Sequence, residues 1–220
     1  MSPSSHSAER VAEKVQTLSD LELAALLCLI TKEHAIVEAE PSLLDPLCLE
    51  LELIAGSVFG LSSTVLECSE RTTLDTFGNG LLVEDDDISY FSSPPRNSRD
   101  TVCKRLSLTL ASEVFAYMQN LIAFLRLHRA VSGGISALAT RHFELLVRAL
   151  APLHGLNYVP PSLVALAARK IYPHRILLTA PENERSMQWG SSLEAVREVL
   201  DGVTVDDVIE DVLQQVEVPL

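Results

Sequence analysis

"GGISALATRHFELLVRALAPLHGLNYVPPSLVALAARKIYPHRI", residues 133–176, decides how this chain folds. Two helices can be read from it directly. Gly133-Gly134 disfavours a helix interior, so "ATRHFELLVRALAPLHG" begins after it, repeats its apolar residues every three or four positions, and ends at Gly155. "PPSLVALAARKIYPHR" opens on tandem prolines, which suit a first helical turn because the ring fixes φ and no N–H is needed there. Pro173 stops it. Upstream, "ASEVFAYMQNLIAFLRLHRA" sets Val114, Met118, Leu121, Ile122 and Leu125 at helical spacing. Downstream, two short acidic helices are expected around 192–201 and 204–215, with Thr204 and Asp207 as a cap pair.

The first half reads differently. Ser19 and Glu22 have capping-box spacing ahead of "LELAALLCLI", which predicts a helix. The β-branched run "AIVE" at 35–38 and "STVLEC" at 63–68 read as short buried strands, separated by the helical "PLCLELELIAGSVFG" with Gly56 and Gly60 as possible ends. Strand, helix and strand in about thirty residues is a βαβ unit, which argues for a parallel sheet. Within the loop, Asp45-Pro46 suits a helix start, as N-cap and first helical residue.

Composition bounds the alternatives. The chain has 220 residues, 47% hydrophobic and 21% charged, with a formal charge of −13, so a buried core is affordable and bulk attraction to nucleic acid or anionic membrane is disfavoured. Residues 1–95 carry 4 basic and 17 acidic side chains, 96–175 carry 11 and 3, and 176–220 carry 2 and 10. A basic middle between acidic flanks suggests layers that attract one another. Cys28, Cys48, Cys68 and Cys103 show no CxxC pairing and sit mostly in apolar runs, as reduced, buried thiols of an intracellular protein would. The start, "MSPSSHSAER", has no apolar signal core, and the apolar stretches are too short to span a membrane. Cytoplasm or nucleus is the expected location.

Sites of known chemistry are mostly excluded. His6, His34, His128, His142, His154 and His174 include no i,i+4 pair and no neighbouring cysteine pair, so no metal site is expected. "GGISA" lacks the second glycine of a serine-hydrolase elbow. The acidic run Glu84 to Asp87 has no calcium-loop spacing. Arg126, Arg129, Arg141, Arg148, Arg169, Lys170 and Arg175 would form a nucleic-acid patch if their helices shared a face, but aromatics are only 5% of the chain and stacking platforms are few. The loop between the first expected strand and its helix has the context of a phosphate-binding GxxxxGK[ST]. Laid over it, that motif puts Ala39 and Leu44 at the glycines, Asp45 at the lysine and Pro46 at the hydroxyl, with Pro41 and Ser42 between. A carboxylate there repels phosphate, and proline has no hydroxyl for magnesium.

Residues 133–176 also resemble the helical lid of AAA+ ATPases of the MoxR and magnesium-chelatase I-subunit group. That lid has a Gly-x-Ser loop opening a helix, then a Gly-x-x-Tyr-Val-x-Pro turn leading to a helix that ends in His-Arg. Gly155, Asn157, Tyr158, Val159, Pro161, His174 and Arg175 stand at those positions. "LSDLELAALLCLITKEHAIVEAEP", 18–41, is similar to the start of the same family's nucleotide-binding domain, through His34, Glu38 and Pro41, and "STVLECS", 63–69, resembles the next strand. The overall likeness is to magnesium-chelatase-like proteins known from fungi, which share the altered loop. The family's lid arginine, which reaches the γ-phosphate, falls on Leu138 here. Only residues 84 to 110 stand where the family has a long segment with its remaining catalytic acids, sensors and arginine finger.

The resemblance implies an α/β partial P-loop AAA+ domain with a short parallel sheet, followed by an all-α AAA+ lid, mostly helical overall. The expected divisions are a loosely ordered terminus at 1–17, the partial core with its degenerate P-loop at 18–87, a linker or seam at 88–103, the lid at 104–180 and an acidic helical tail at 181–220. A sheet this small leaves apolar faces uncovered, so the N-terminal half is expected to lean on the lid or on a partner subunit for burial. The implied function is an interaction or assembly module without ATP hydrolysis, with no catalytic residue, no metal and no cofactor. Its implied partners are its own copies or related AAA+ subunits, with neither membrane nor nucleic acid. The alternative is a working magnesium-chelatase-like or remodelling ATPase subunit that takes Mg-ATP; a lesser one is nucleic-acid binding through the basic helices.

Overall fold

A computed structural model describes residue 15 and residues 17–80 and 110–219 of the chain. The expected terminus at 1–17 (apart from 15 and 17), the Glu84–Asp87 run, the linker at 88–103 and Cys103 lie outside the described residues. The chain divides into two compact units, Thr17–Cys103 and, together with Met1–Gln16, Lys104–Leu220.

In the first unit, helix α1 spans Asp20–Thr31. The capping box forms as expected. The Ser19 hydroxyl accepts from the Glu22 N–H, and the Glu22 carboxylate reaches back to the Ser19 N–H at 2.6 Å. Lys32 closes α1 in the left-handed conformation, φ 57°. Helix α2 is Leu44–Leu53, entered through a 3-10 turn at Pro41–Leu43 and prolonged by a π turn at Ile54–Val58. A short helix α3, Leu74–Gly80, follows.

The expected strands are corrected here. Residues 35–38 and 63–68 are irregular, and no strand occurs among the described residues of this unit. A strand exists only through its partner's hydrogen bonds, and neither segment finds one. Their β-branched side chains face solvent, with Ile36 77% and Val65 49% exposed. Cys68, expected to be buried with its strand, is exposed instead, while Cys28 and Cys48 are half-buried free thiols. The helix start also moves. Leu43, not Asp45, is the N-cap of α2, because the 3-10 turn that Pro41 opens begins the helical run early. Asp45 and Pro46 then sit inside the first turn, where a carboxylate meets the positive helix end and a missing N–H costs nothing.

The second unit is the helical one the sequence describes. Helix α4, Ser112–Leu127, buries Val114, Tyr117, Met118, Leu121, Ile122 and Leu125. Its five anticipated core positions are all there, and Tyr117 joins them. Helix α5 is Ala137–Leu153, and α6 is Pro161–Ile171 with proline in its first turn. They pack on each other, and Phe143, Val147 and Leu150 of α5 and Val164, Ala167 and Ala168 of α6 are all nearly inaccessible. Tyr172, fully buried, sets its ring 5.3 Å from that of Phe143 at 57°.

Helices α7, Leu193–Leu200, and α8, Val205–Gln215, close the unit, and Thr204 and Asp207 make the expected capping box. The acidic tail is not an appendage. Helix α8 packs against α4 and α6 through Val208, Ile209 and Val212. Two very short strands, β1 at Val131–Gly133 and β2 at Leu177–Leu178, pair antiparallel with Val131 opposite Leu178 and Gly133 opposite Leu177.

Candidate functional site

The β1–β2 pairing fixes the loop "GGIS" that opens α5. Gly134 lies at φ +99°, and a Cβ added there would fall 1.7 Å from the Arg175 carbonyl oxygen. Only glycine lets the loop press against the chain entering β2. Ser132 ties the same edge by donating from its hydroxyl to the Leu177 carbonyl at 3.0 Å. Ile135 is buried beneath the loop, and the Ser136 hydroxyl caps α5 by accepting from the Ala139 N–H at 3.1 Å.

Arg126 closes the other side. Its Nε donates to the Ile135 carbonyl at 3.1 Å and its Nη2 to the Thr140 hydroxyl at 3.2 Å, which holds the end of α4 against the start of α5. The result is a cleft of about 320 Å³ lined by Arg126, Ser132, Gly134 and Ser136 among others. It offers a guanidinium, hydroxyls and a helix N-terminus, a set that suits an anion. Leu138, 57% exposed, stands in the first turn of α5.

A second, shallower hollow of about 550 Å³ lies between Pro181–Glu182 and Arg197–Gly202. Arg197 donates to Glu182 there at 2.8 Å, and that ion pair holds the Glu182 carboxyl below its usual range.

The remaining cations are largely spoken for inside the unit. Arg169 makes a two-pronged contact with Glu210, 2.5 and 2.9 Å, which lowers the carboxyl of Glu210 and joins the basic middle to the acidic end. His128 Nε2 lies 3.1 Å from Asp211 while its Nδ1 accepts from the Ala130 N–H. Arg148 pairs with Glu144 one turn earlier, and Arg175 donates to His142 Nδ1 at 2.7 Å. Glu184, only 5% exposed, accepts from the Ser186 hydroxyl and N–H; the hydroxyl chiefly holds its carboxyl low, with Arg129 at 3.9 Å assisting. Five of the seven cations expected as a nucleic-acid patch therefore have partners within the fold.

Residues 123–198 match the family model of the AAA lid domain. The match supports membership of the AAA+ superfamily and spans the end of α4, both strands, α5, α6 and the first part of α7. No curated protein and no solved structure matches the chain. The matched stretch, 123–198, overlaps the lid expected at 104–180 and the first part of the acidic tail expected at 181–220.

The loop positions singled out in the first half are not gathered into a site. Ala39 lies in the irregular segment before α2, Pro41 and Ser42 in the 3-10 turn, and Leu44, Asp45 and Pro46 in the first turn of α2. Among the described residues no group of three histidine, cysteine or acidic side chains could hold a metal, and no helix is long and apolar enough to cross a membrane. Sequence reasoning had Arg126 only as a member of a basic patch and not at this cleft: nine residues separate it from Ile135, and no motif joins them.

Proposed function

We propose that this chain is an AAA+-derived interaction module of the MoxR and magnesium-chelatase I-subunit type that does not hydrolyse ATP. One observation carries the reading. The helix that should open on a phosphate-binding lysine opens on Leu44-Asp45-Pro46, and Asp45 lies in its first turn. A carboxylate there already neutralises the positive helix end that a phosphate would use, and it repels the phosphate directly. Leu138 supports the same reading from the lid, since an alkyl side chain stands where the family places its γ-phosphate arginine. The lid domain is kept as a packed scaffold and the groups that would make it a motor are replaced. Its partners under this reading are its own copies or related AAA+ subunits.

A second reading has one specific observation in its favour. The cleft at Ser132–Ser136 holds Arg126, a cation supplied by α4 in place of the lost one on α5, so the lid retains a surface suited to an anion. On that reading the chain binds Mg-ATP as a working subunit. Isothermal titration with Mg-ATP decides between them. The interaction-module reading expects no heat of binding up to about millimolar nucleotide. Saturable micromolar binding that Arg126→Ala removes would establish the second reading in its place.

A further inference from the structure

The first unit has an apolar surface that the lid's chemistry does not explain. Helix α1 reads DLELAALLCLIT and is apolar nearly all round, yet none of its residues is buried. Such a helix is stable in water when something encloses it. Helix α2 buries nothing either, and Ile54 alone among the described residues of this unit is buried. Leu49 and Leu53 sit one turn apart on α2, 61% and 67% exposed, with Leu29 of α1 44% exposed. Leucines exposed one turn apart on α2 give a stripe that another helix can cover.

Charge selects the occupant. Residues 17–80 carry 11 acidic and 2 basic side chains. Asp45, Glu50 and Glu52 stand on α2 around the Leu49–Leu53 stripe, and Asp20, Glu22 and Glu33 mark the two ends of α1. A second copy of the same face would set like charges against one another, and an anionic lipid surface would be repelled. Among the described residues this unit has no strand, so it offers no sheet edge to an extended peptide. Helical ridges accept another helix.

We infer that the exposed face of α2 docks a basic amphipathic helix of a partner protein, its apolar stripe on Leu49 and Leu53 and its lysines or arginines on the surrounding carboxylates. The inference rests on the interaction-module reading and names the chemistry of the partner.

The test uses the full chain and fluorescence anisotropy with three labelled peptides of about 18 residues, or five helical turns. One has a leucine stripe flanked by lysines. The second has the same composition with the stripe scrambled, and the third replaces lysine by glutamate. The first should bind at least about tenfold more tightly than either control, and should weaken severalfold between about 50 and 300 mM salt. Leu49→Gln with Leu53→Gln should cost at least about tenfold, and Glu50→Gln with Glu52→Gln should flatten the salt dependence. All four positions lie on one exposed or half-exposed helix, and far-UV circular dichroism verifies that the variants keep it.

Equal binding of the scrambled peptide, indifference to the leucine changes, or no binding of the basic peptide each overturns the inference. Sedimentation velocity on the chain alone separates the two failures. Self-association without peptide binding leaves the module reading standing and removes the basic helix, whereas micromolar Mg-ATP binding removes the module reading whatever the peptides do.

Discussion

Replacing Gly134 by alanine tests the construction of the lid most directly. The added methyl would lie 1.7 Å from the carbonyl oxygen of Arg175, 2.7 Å from its carbon and 3.1 Å from the Cα of Ile176. Each of these is main chain, and each is held. The N–H groups of Arg175 and Ile176 both donate to the Tyr172 carbonyl at 3.0 Å, and β2 is bound to β1 immediately afterwards. Relief needs the two segments to part by about 1.5 Å to restore van der Waals separation. A non-glycine residue held at positive φ costs about 1–2 kcal/mol. Two weakened backbone hydrogen bonds add about 2 kcal/mol. Partial exposure of Val131, Ile135 and Ile176 adds about 1–2 kcal/mol. The sum, about 4–6 kcal/mol, corresponds to a fall in melting temperature of about 15–25 °C for a unit of this size.

Thermal unfolding followed at 222 nm reads it, with Gly133→Ala as the matched control. Gly133 has nothing within 4 Å of an added Cβ and no positive φ, so its variant should stay within about 0.5 kcal/mol of the parent. If Gly134→Ala melts within a few degrees of the parent, or no lower than Gly133→Ala, the close approach to Arg175 is not what holds the loop.

Two further outcomes are expected. Ser136→Ala removes the acceptor for the Ala139 N–H and should cost about 1 kcal/mol in urea unfolding, with Ser136→Thr largely restoring it. Acidification should destabilise the second unit. Glu182 and Glu210 are held below the ordinary 4.5 by Arg197 and Arg169, and Asp207 below 3.8 by Thr204. Their folded pKa values are the lower ones, so their stabilisation is complete above about pH 4.5 and lost as pH falls through the folded values; melting temperatures that rise on acidification from pH 5 to 3 would contradict the sign.

The helices were legible because each carries its own signal. Ser19 and Glu22, Thr204 and Asp207, and the tandem prolines before α6 act within a few residues, and the buried stripe of α4 repeats along one helix. "AIVE" and "STVLEC" have the composition of strands, but composition does not supply a partner, and the segments remain unpaired. The reverse holds for β1 and β2, three and two residues whose pairing follows from the packing of α5 and α6 and leaves no trace in periodicity. Asp45 was displaced from its cap by the 3-10 turn before it, a difference of two residues that local rules do not resolve. The cleft was half visible: the Gly-x-Ser loop has a spacing, but Arg126 reaches it only because the end of α4 lies beside the start of α5.

The pairing of Arg169 with Glu210 has a thermodynamic consequence for any long polyanion. The drive for such ligands comes from cations condensed along the phosphates, set free when the protein's own cations take their place. Here the counter-charge of Arg169 is the Glu210 carboxylate, carried on α8, whose Val208 and Val212 are buried, so it cannot diffuse away when displaced. A polyanion would have to break those contacts first, and that cost offsets the entropy of the cations it sheds. The acidic end of the chain acts as a counterion that cannot leave.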